Sequence, residues 1–212
     1  MIVDVSCFAG HWPSRDLQGD LVSVRGSLRE YGVGRLLASP MDAAWTRNPH
    51  LVNAAFYSAA ESFADVSPVP VLDPTVATWA AELERAVERP DVRLVRLLPA
   101  YSPYRLAEAD DLLSAASDAG LAVICQTRVE DRRRQHPLAQ VPDVPVADVV
   151  AAAERHPGLG MIVGGARYPE ARSLRDRLLG MPNLHVETSH MDGLDAIRVL
   201  VDEGLGDKLL FG

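Results

Sequence analysis

The sequence predicts an α/β protein with a (β/α)8, TIM-barrel-like fold, the chain ending at the eighth strand. Three observations predict it. Short β-branched runs alternate with longer amphipathic runs along all 212 residues. Most of the short runs are continuously apolar, as strands covered on both faces are. The β-then-α unit recurs seven times before one last strand, a pattern that gives a parallel sheet with right-handed crossovers. Eight strands at this spacing favour a closed barrel over the alternative, an open Rossmann-like sheet. That alternative lacks its dinucleotide fingerprint, because no Gly-x-Gly-x-x-Gly turn follows the first strand.

Strands are expected at 2–6, 35–39, 67–72, 92–98, 121–126, 160–164, 184–189 and 208–212. Between them, Leu51, Val52, Ala55, Phe56, Ala59, Ala60 and Phe63 make one wide apolar helical stripe, with Asn48 as cap and Pro49 presetting the first turn. Val76, Trp79, Ala80, Leu83 and Val87 form a second stripe after Thr75. Helices also fit 107–118, 146–155, 169–180 and 192–203, and a weaker one fits about 26–32. Gly120, Gly158 and Gly204 follow helical runs, where a left-handed cap favours glycine. The irregular stretches, about 7–25 and 127–145, both follow strands. They therefore belong at the C-terminal mouth of the barrel, where active-site loops sit.

Composition narrows the function classes. Hydrophobic residues at 48% and charged residues at 24% are ordinary for a folded domain. No apolar run reaches the roughly 18 residues of a membrane span, and no leader pattern opens the chain. A net charge of -8 argues against nucleic acid or an anionic membrane as partner. Cys7 and Cys125 both fall in predicted strands and suit reduced thiols in a cytoplasmic protein. One domain over 1–212 is expected, lacking its C-terminal segment. The alternative is a homo-oligomer in which a neighbouring copy covers the open strand edge.

Several fragments carry a family likeness in their order and spacing. They are Ile2-Val3-Asp4, Gly10-His11-Trp12-Pro13, His156-Pro157-Gly158-Leu159 leading into Met161-Ile162-Val163-Gly164-Gly165, Leu184-His185-Val186-Glu187-Thr188-Ser189, and Asp207-Lys208-Leu209-Leu210-Phe211-Gly212. Over most of its length the chain resembles the amidohydrolase-2-type family of metal-dependent TIM-barrel hydrolases. The resemblance implies metal ligands at the ends of strands 1, 5, 6 and 8. The two strand-1 histidine places hold Ser6 and Phe8, the strand-5 place holds Gln126, the strand-6 place falls at about Gly165, and the strand-8 aspartate would follow Gly212. No matched position carries a usual ligand, so neither a metal nor another cofactor is expected.

Strand periodicity selects the candidates that remain. Asp4, Ser6 and Phe8 share a lumen face, while Cys7 and Cys125 point to the helix layer as small buried hydrophobes. Gln126 and Arg128 share a face and lead into a run holding Glu130, Asp131 and His136. That run reads either as a pocket wall or as a solvated charge run. Arg15, Arg96, Arg128 and Arg167 recur at the same end, so they either converge on a carboxylate or phosphate or make separate ion pairs among the 29 acidic residues. Glu187 sits among apolar neighbours that would raise its pKa. His11 and His190 follow strands 1 and 7, whereas His50 and His156 read as structural. Gly164-Gly165 reads as a tight turn or as a close approach to a ligand.

The expected function is that of an amidohydrolase-like barrel acting on a small anionic substrate by metal-independent hydrolysis, lactone opening or decarboxylation. Arg96 and Arg128 would clamp the anion, Gln126 would orient it, and Ser6, Trp12, Asp131 and His136 would complete the binding surface. His11, Glu187 or His190 would move the proton. The alternative is a non-catalytic binding protein, or pseudoenzyme, with the same pocket.

Overall fold

The structure is a computed structural model that describes residues 1–102 and 104–212. Its strands are β1 (Ile2–Ala9), β2 (Val33–Pro40), β3 (Val66–Pro68), β4 (Val71–Leu72), β5 (Leu94–Leu97), β6 (Ala122–Gln126), β7 (Met161–Gly164), β8 (Leu184–Glu187) and β9 (Leu209–Leu210). All neighbours are parallel, in the orders β1-β2-β3 and β4-β5-β6-β7-β8-β9. β3 and β4 are halves of one stretch. Between them Val69 N–H donates to Ala38 O and Pro70 O accepts from Arg96 N–H, so the pairing passes from β2 to β5 across the break. Val5 N–H donates to Phe211 O at 2.9 Å, bringing the last stretch alongside the first. The architecture is TIM-barrel-like, with strands where the apolar runs place them.

The helices are α1 (Leu21–Glu30), α2 (Pro49–Ala60), α3 (Trp79–Val87), α4 (Asp110–Asp118), α5 (Val146–Arg155), α6 (Tyr168–Ser173), α7 (Arg175–Gly180) and α8 (Ala196–Leu200). Asn48 caps α2 through His50 N–H, with Pro49 in the first turn. Three expectations need correction. The first helix starts at Leu21, not near 26, because the Asp20 carboxylate accepts Ser23 N–H and the Ser23 hydroxyl. The run 169–180 divides at Leu174 into α6 and α7. The run 192–203 becomes helical only at Ala196, because Gly193 (φ 124) and Asp195 (φ 65) hold backbone conformations no right-handed helix contains.

Period-two alternation sorts each strand between two layers. Val95, Leu97, Val123, Cys125, Met161 and Val163 face outward into the helix layer, packing with Leu83, Leu112, Leu113, Val149 and Leu178. Cys7 likewise packs with Leu21, Leu36 and Phe56. Facing inward, Val69, Leu94, Ile124 and Ile162 form an apolar plug with Leu37 and Leu210 against it. One pleat nearer the C-terminal end, the lumen changes character. Arg96 follows Leu94, Gln126 follows Ile124, and Glu187 lies on β8 among them, all buried. The plug is the floor on which a polar layer stands.

Candidate functional site

Arg96 is the centre of the polar layer and is 0% exposed. Its Nε donates to Ser39 Oγ at 2.8 Å, and its Nη atoms reach Gln126 Oε1 and, at 3.4 Å, Ser6 Oγ. The Phe8 ring lies under the guanidinium at 4.0 Å, a cation–π contact. Burial lowers its pKa to about 10, against the opposing pull of Glu187, Cys7 and Asp4. Burial also raises the Asp4 carboxyl above its ordinary value, although Ser6 N–H donates to it. Gln126 is spent on both sides, since its Nε2 donates to Arg128 O at 2.8 Å.

Glu187 forms the next part of the wall and is also 0% exposed. It accepts Gly165 N–H, Ser189 N–H at 2.6 Å and the Ser189 hydroxyl at 2.9 Å. Ser189 Oγ in turn lies 3.0 Å from His190 Nδ1. A hydroxyl has one proton. If Ser189 donates it to the carboxylate, its oxygen must accept from His190 Nδ1–H, leaving Nε2 as the unprotonated nitrogen of the neutral ring. Burial lowers the pKa of His190, with Arg128 and Arg167 adding to the shift and Glu187 opposing it. The ring is therefore neutral near pH 7.

Above this layer opens a cavity of about 490 Å³. Trp12, Met41, Val129 and Met191 supply its apolar walls, and Ser189 and His190 line it as well. Arg15, Arg133, Arg134 and Arg167 meet Glu130, Asp131 and Asp192 there, four positive groups against three negative. Arg15 pairs with Glu130 at 2.5 Å and Arg133 with Asp131 at 2.7 Å. The Arg133 hydrogen bonds hold the Asp131 carboxyl well below the usual carboxylate range. Arg167 stands off at 3.8 Å from Asp143 and 3.9 Å from Asp131, and the Arg134 side chain has no ion-pair partner among the described residues. Those two guanidiniums remain available to an anion.

The candidates named from sequence thus fall into different places. Trp12, Asp131 and His190 line the mouth cavity. Ser6, Arg96, Gln126 and Glu187 make the buried layer beneath it. Four expectations are corrected. Arg128 is no free clamp, because its Nη atoms grip Glu170 twice at 2.7 Å and Asp143 at 2.9 Å and also bond Gly165 O. Nor can Arg96 join it at a substrate, being buried among Ser39, Gln126 and Ser6. His136 lines a separate cavity of about 230 Å³ beside Trp45, and its Nδ1 accepts Leu138 N–H. His11 is exposed, and among the described residues its one anchor is the backbone N–H, which donates to Asp42. Gly165 (φ 75) makes its close approach to Arg128 O, which a Cβ there would meet at 2.4 Å. His50 bonds Thr78 and His156 bonds Asp110, both as structural residues. Ser189 was not among the site residues expected from sequence, although it follows Glu187 by two positions, just past the end of β8.

Fold and site together define a TIM-barrel-like protein with a charged mouth over a buried polar layer. The amidohydrolase family model matches residues 38–212, and the chain belongs to that family. Its fold is similar to that of an uncharacterised TIM-barrel protein from Bordetella bronchiseptica, with a TM-score of 0.66 at 17% identity, covering 92% of this chain and 70% of that one. It is also similar to an amidohydrolase from Mycobacterium avium subsp. paratuberculosis, with a TM-score of 0.56 at 16% identity, over 89% of this chain and 62% of that one. For a 5-methylcytosine deaminase from Klebsiella pneumoniae bound to 5-fluorocytosine, the TM-score is 0.51 at 15% identity, over 90% of this chain and 50% of that one. No curated protein matches the chain. Family membership supports a general hydrolase-like function.

The family's metal can be tested against the side chains present. Ser6, Phe8, Gln126 and Gly165 offer no imidazole or carboxylate at the ligand places that the family resemblance implies. Among the described residues no three histidine, cysteine, aspartate or glutamate side chains gather as a metal would need. Arg96 brings a fixed positive charge to Ser6, Phe8 and Gln126. This donor set does not fit a divalent ion.

Proposed function

We propose that the chain is a metal-independent hydrolase of small carboxylate-bearing molecules, opening an ester, lactone or amide in the mouth cavity. The observation that carries this reading is the line Glu187–Ser189–His190, which runs from the buried layer to the cavity wall. Arg134 and Arg167 bind the substrate carboxylate, and Trp12, Met41, Val129 and Met191 cover its apolar body. His190 Nε2 takes a proton from water as the water oxygen attacks the carbonyl carbon. The same proton passes to the leaving oxygen or nitrogen as its bond to carbon breaks. Ser189 and Glu187 hold the tautomer that makes this possible, so they are positioning residues and His190 is the catalytic base.

The test is a thermal-shift screen of small mono- and dicarboxylic acids and the corresponding lactones, followed by turnover assays on the hits. His190→Gln should retain binding and lose at least ~100-fold in kcat, the scale of general-base catalysis. Arg134→Met with Arg167→Met should weaken binding by at least ~10-fold. Turnover abolished by a chelator and restored by zinc would refute the metal-independent reading. A ligand bound tightly and never converted would identify a binding protein instead.

A further inference from the structure

We propose that the Arg96 guanidinium is a built-in cation that occupies the barrel lumen in place of a bound metal, with Ser6, Phe8 and Gln126 serving as its ligands. The inference rests on the metal-independent reading and extends it, from the loss of a site to its reuse. The contacts carry the argument. Among the described residues no carboxylate forms an ion pair with Arg96. A buried, unpaired guanidinium would ordinarily be prohibitive. Here the acceptors are the Ser6 hydroxyl, the Gln126 amide oxygen and the Ser39 hydroxyl, with the Phe8 ring face completing the shell.

Three of those four residues stand at the places the family resemblance gives to metal ligands, and each is a type that suits a guanidinium. Serine and glutamine are neutral acceptors, and phenylalanine offers a π face to a flat cation. Two buried carboxylates, Asp4 and Glu187, supply the countercharge without touching it. This is the environment of a cation site: neutral oxygen donors close in and negative charge just behind. The ion is simply tethered to β5.

Removing the tether exposes the site to cations from solution. Arg96→Ala should lower the melting temperature by about 10 °C, the scale for an uncompensated buried charge in a chain of this size. Guanidinium at low millimolar concentration should then recover several degrees in Arg96→Ala and leave the wild type unmoved. Arg96→Lys, which keeps the charge, should melt well above Arg96→Met, which keeps the bulk. That pair of variants decides the matter if Arg96→Ala does not fold. Equal melting of the lysine and methionine variants would overturn the inference, and so would an Arg96→Ala protein indifferent to guanidinium. Chelator-resistant turnover together with either of those failures would leave the metal-independent reading standing and remove this one.

Discussion

Replacing Arg128 by methionine removes a buried link between the 127–145 loop and α6. Arg128 is 3% exposed and makes two 2.7 Å bonds to Glu170, one 2.9 Å bond to Asp143 and one to Gly165 O. Breaking a fully buried ion pair costs about 3–5 kcal/mol. Here the stranded carboxylates recover part of that, since the side chains of Glu170 and Asp143 are 31% and 24% exposed and can rehydrate. A loss of about 2–4 kcal/mol remains, or ~5–15 °C in melting temperature for a domain of this length. The pH dependence is signed. Burial acts to raise the Glu170 pKa, but hydrogen bonds from Arg128 and Arg167 outweigh it, so the folded value lies below the ordinary 4.5. A depressed carboxylate pKa contributes stability that is complete above the unfolded value and is lost as pH falls through the folded one. Calorimetry of both proteins from pH 7 to pH 3 should therefore show a gap that is widest above about pH 4.5 and narrows below it. A loss under about 1 kcal/mol at pH 7 would refute the reasoning, as would a gap unchanged at pH 3.

Three further outcomes follow from the same geometry. Nitrogen-resolved NMR of His190 should find the Nδ1–H tautomer in the wild type and a tautomer mixture in Ser189→Ala; the Nε2–H form in the wild type would remove His190 as the base. Burial raises both thiols to about 12, so Cys7 and Cys125 should resist iodoacetamide at pH 8 in the folded protein and react on unfolding. Labelling of the native chain within minutes would contradict their packing. Asn53→Ala should cost about 2–4 kcal/mol by urea denaturation. Asn53 bonds both backbone groups of Val71 and donates to the buried Glu82, so its loss strands the two Val71 groups and leaves Glu82 with Arg85 and Tyr57 alone. A change below about 1 kcal/mol would mean that water replaces the amide.

The strands were legible because their signal is local. On β6, Val123 and Cys125 against Ile124 and Gln126 show which side chains enter the lumen, and the same alternation places Arg96 above Leu94. The α2 cap was legible too, from Asn48-Pro49, whereas the Asp20 cap that starts α1 at Leu21 was missed, because a lone Asp-x-x-Ser in a polar stretch has no apolar stripe behind it to mark a helix. Tertiary choices were not legible. Arg128 takes Glu170, 42 residues away, and no local pattern distinguishes that acid from its neighbours in the loop. Ser189 was overlooked because a hydroxyl between a carboxylate and an imidazole matters only once all three point the same way. His11 and His136 carried suitable chemistry on loops whose direction the strand pattern does not determine.

The aromatic residues around the mouth have a further consequence. Trp12 packs edge-on against Trp45 (centroids 5.2 Å) and Tyr101 (6.3 Å), and Trp45 against Tyr101 (5.4 Å). Trp12 faces the larger cavity and Trp45 the smaller one, while the third tryptophan, Trp79, begins α3 in the helix layer. Two of the three indoles thus meet edge-on at the entrance, close enough to share excitation. Any molecule settling there alters their emission, so occupancy can be read by intrinsic fluorescence without a label, and Trp79 supplies the unchanging background.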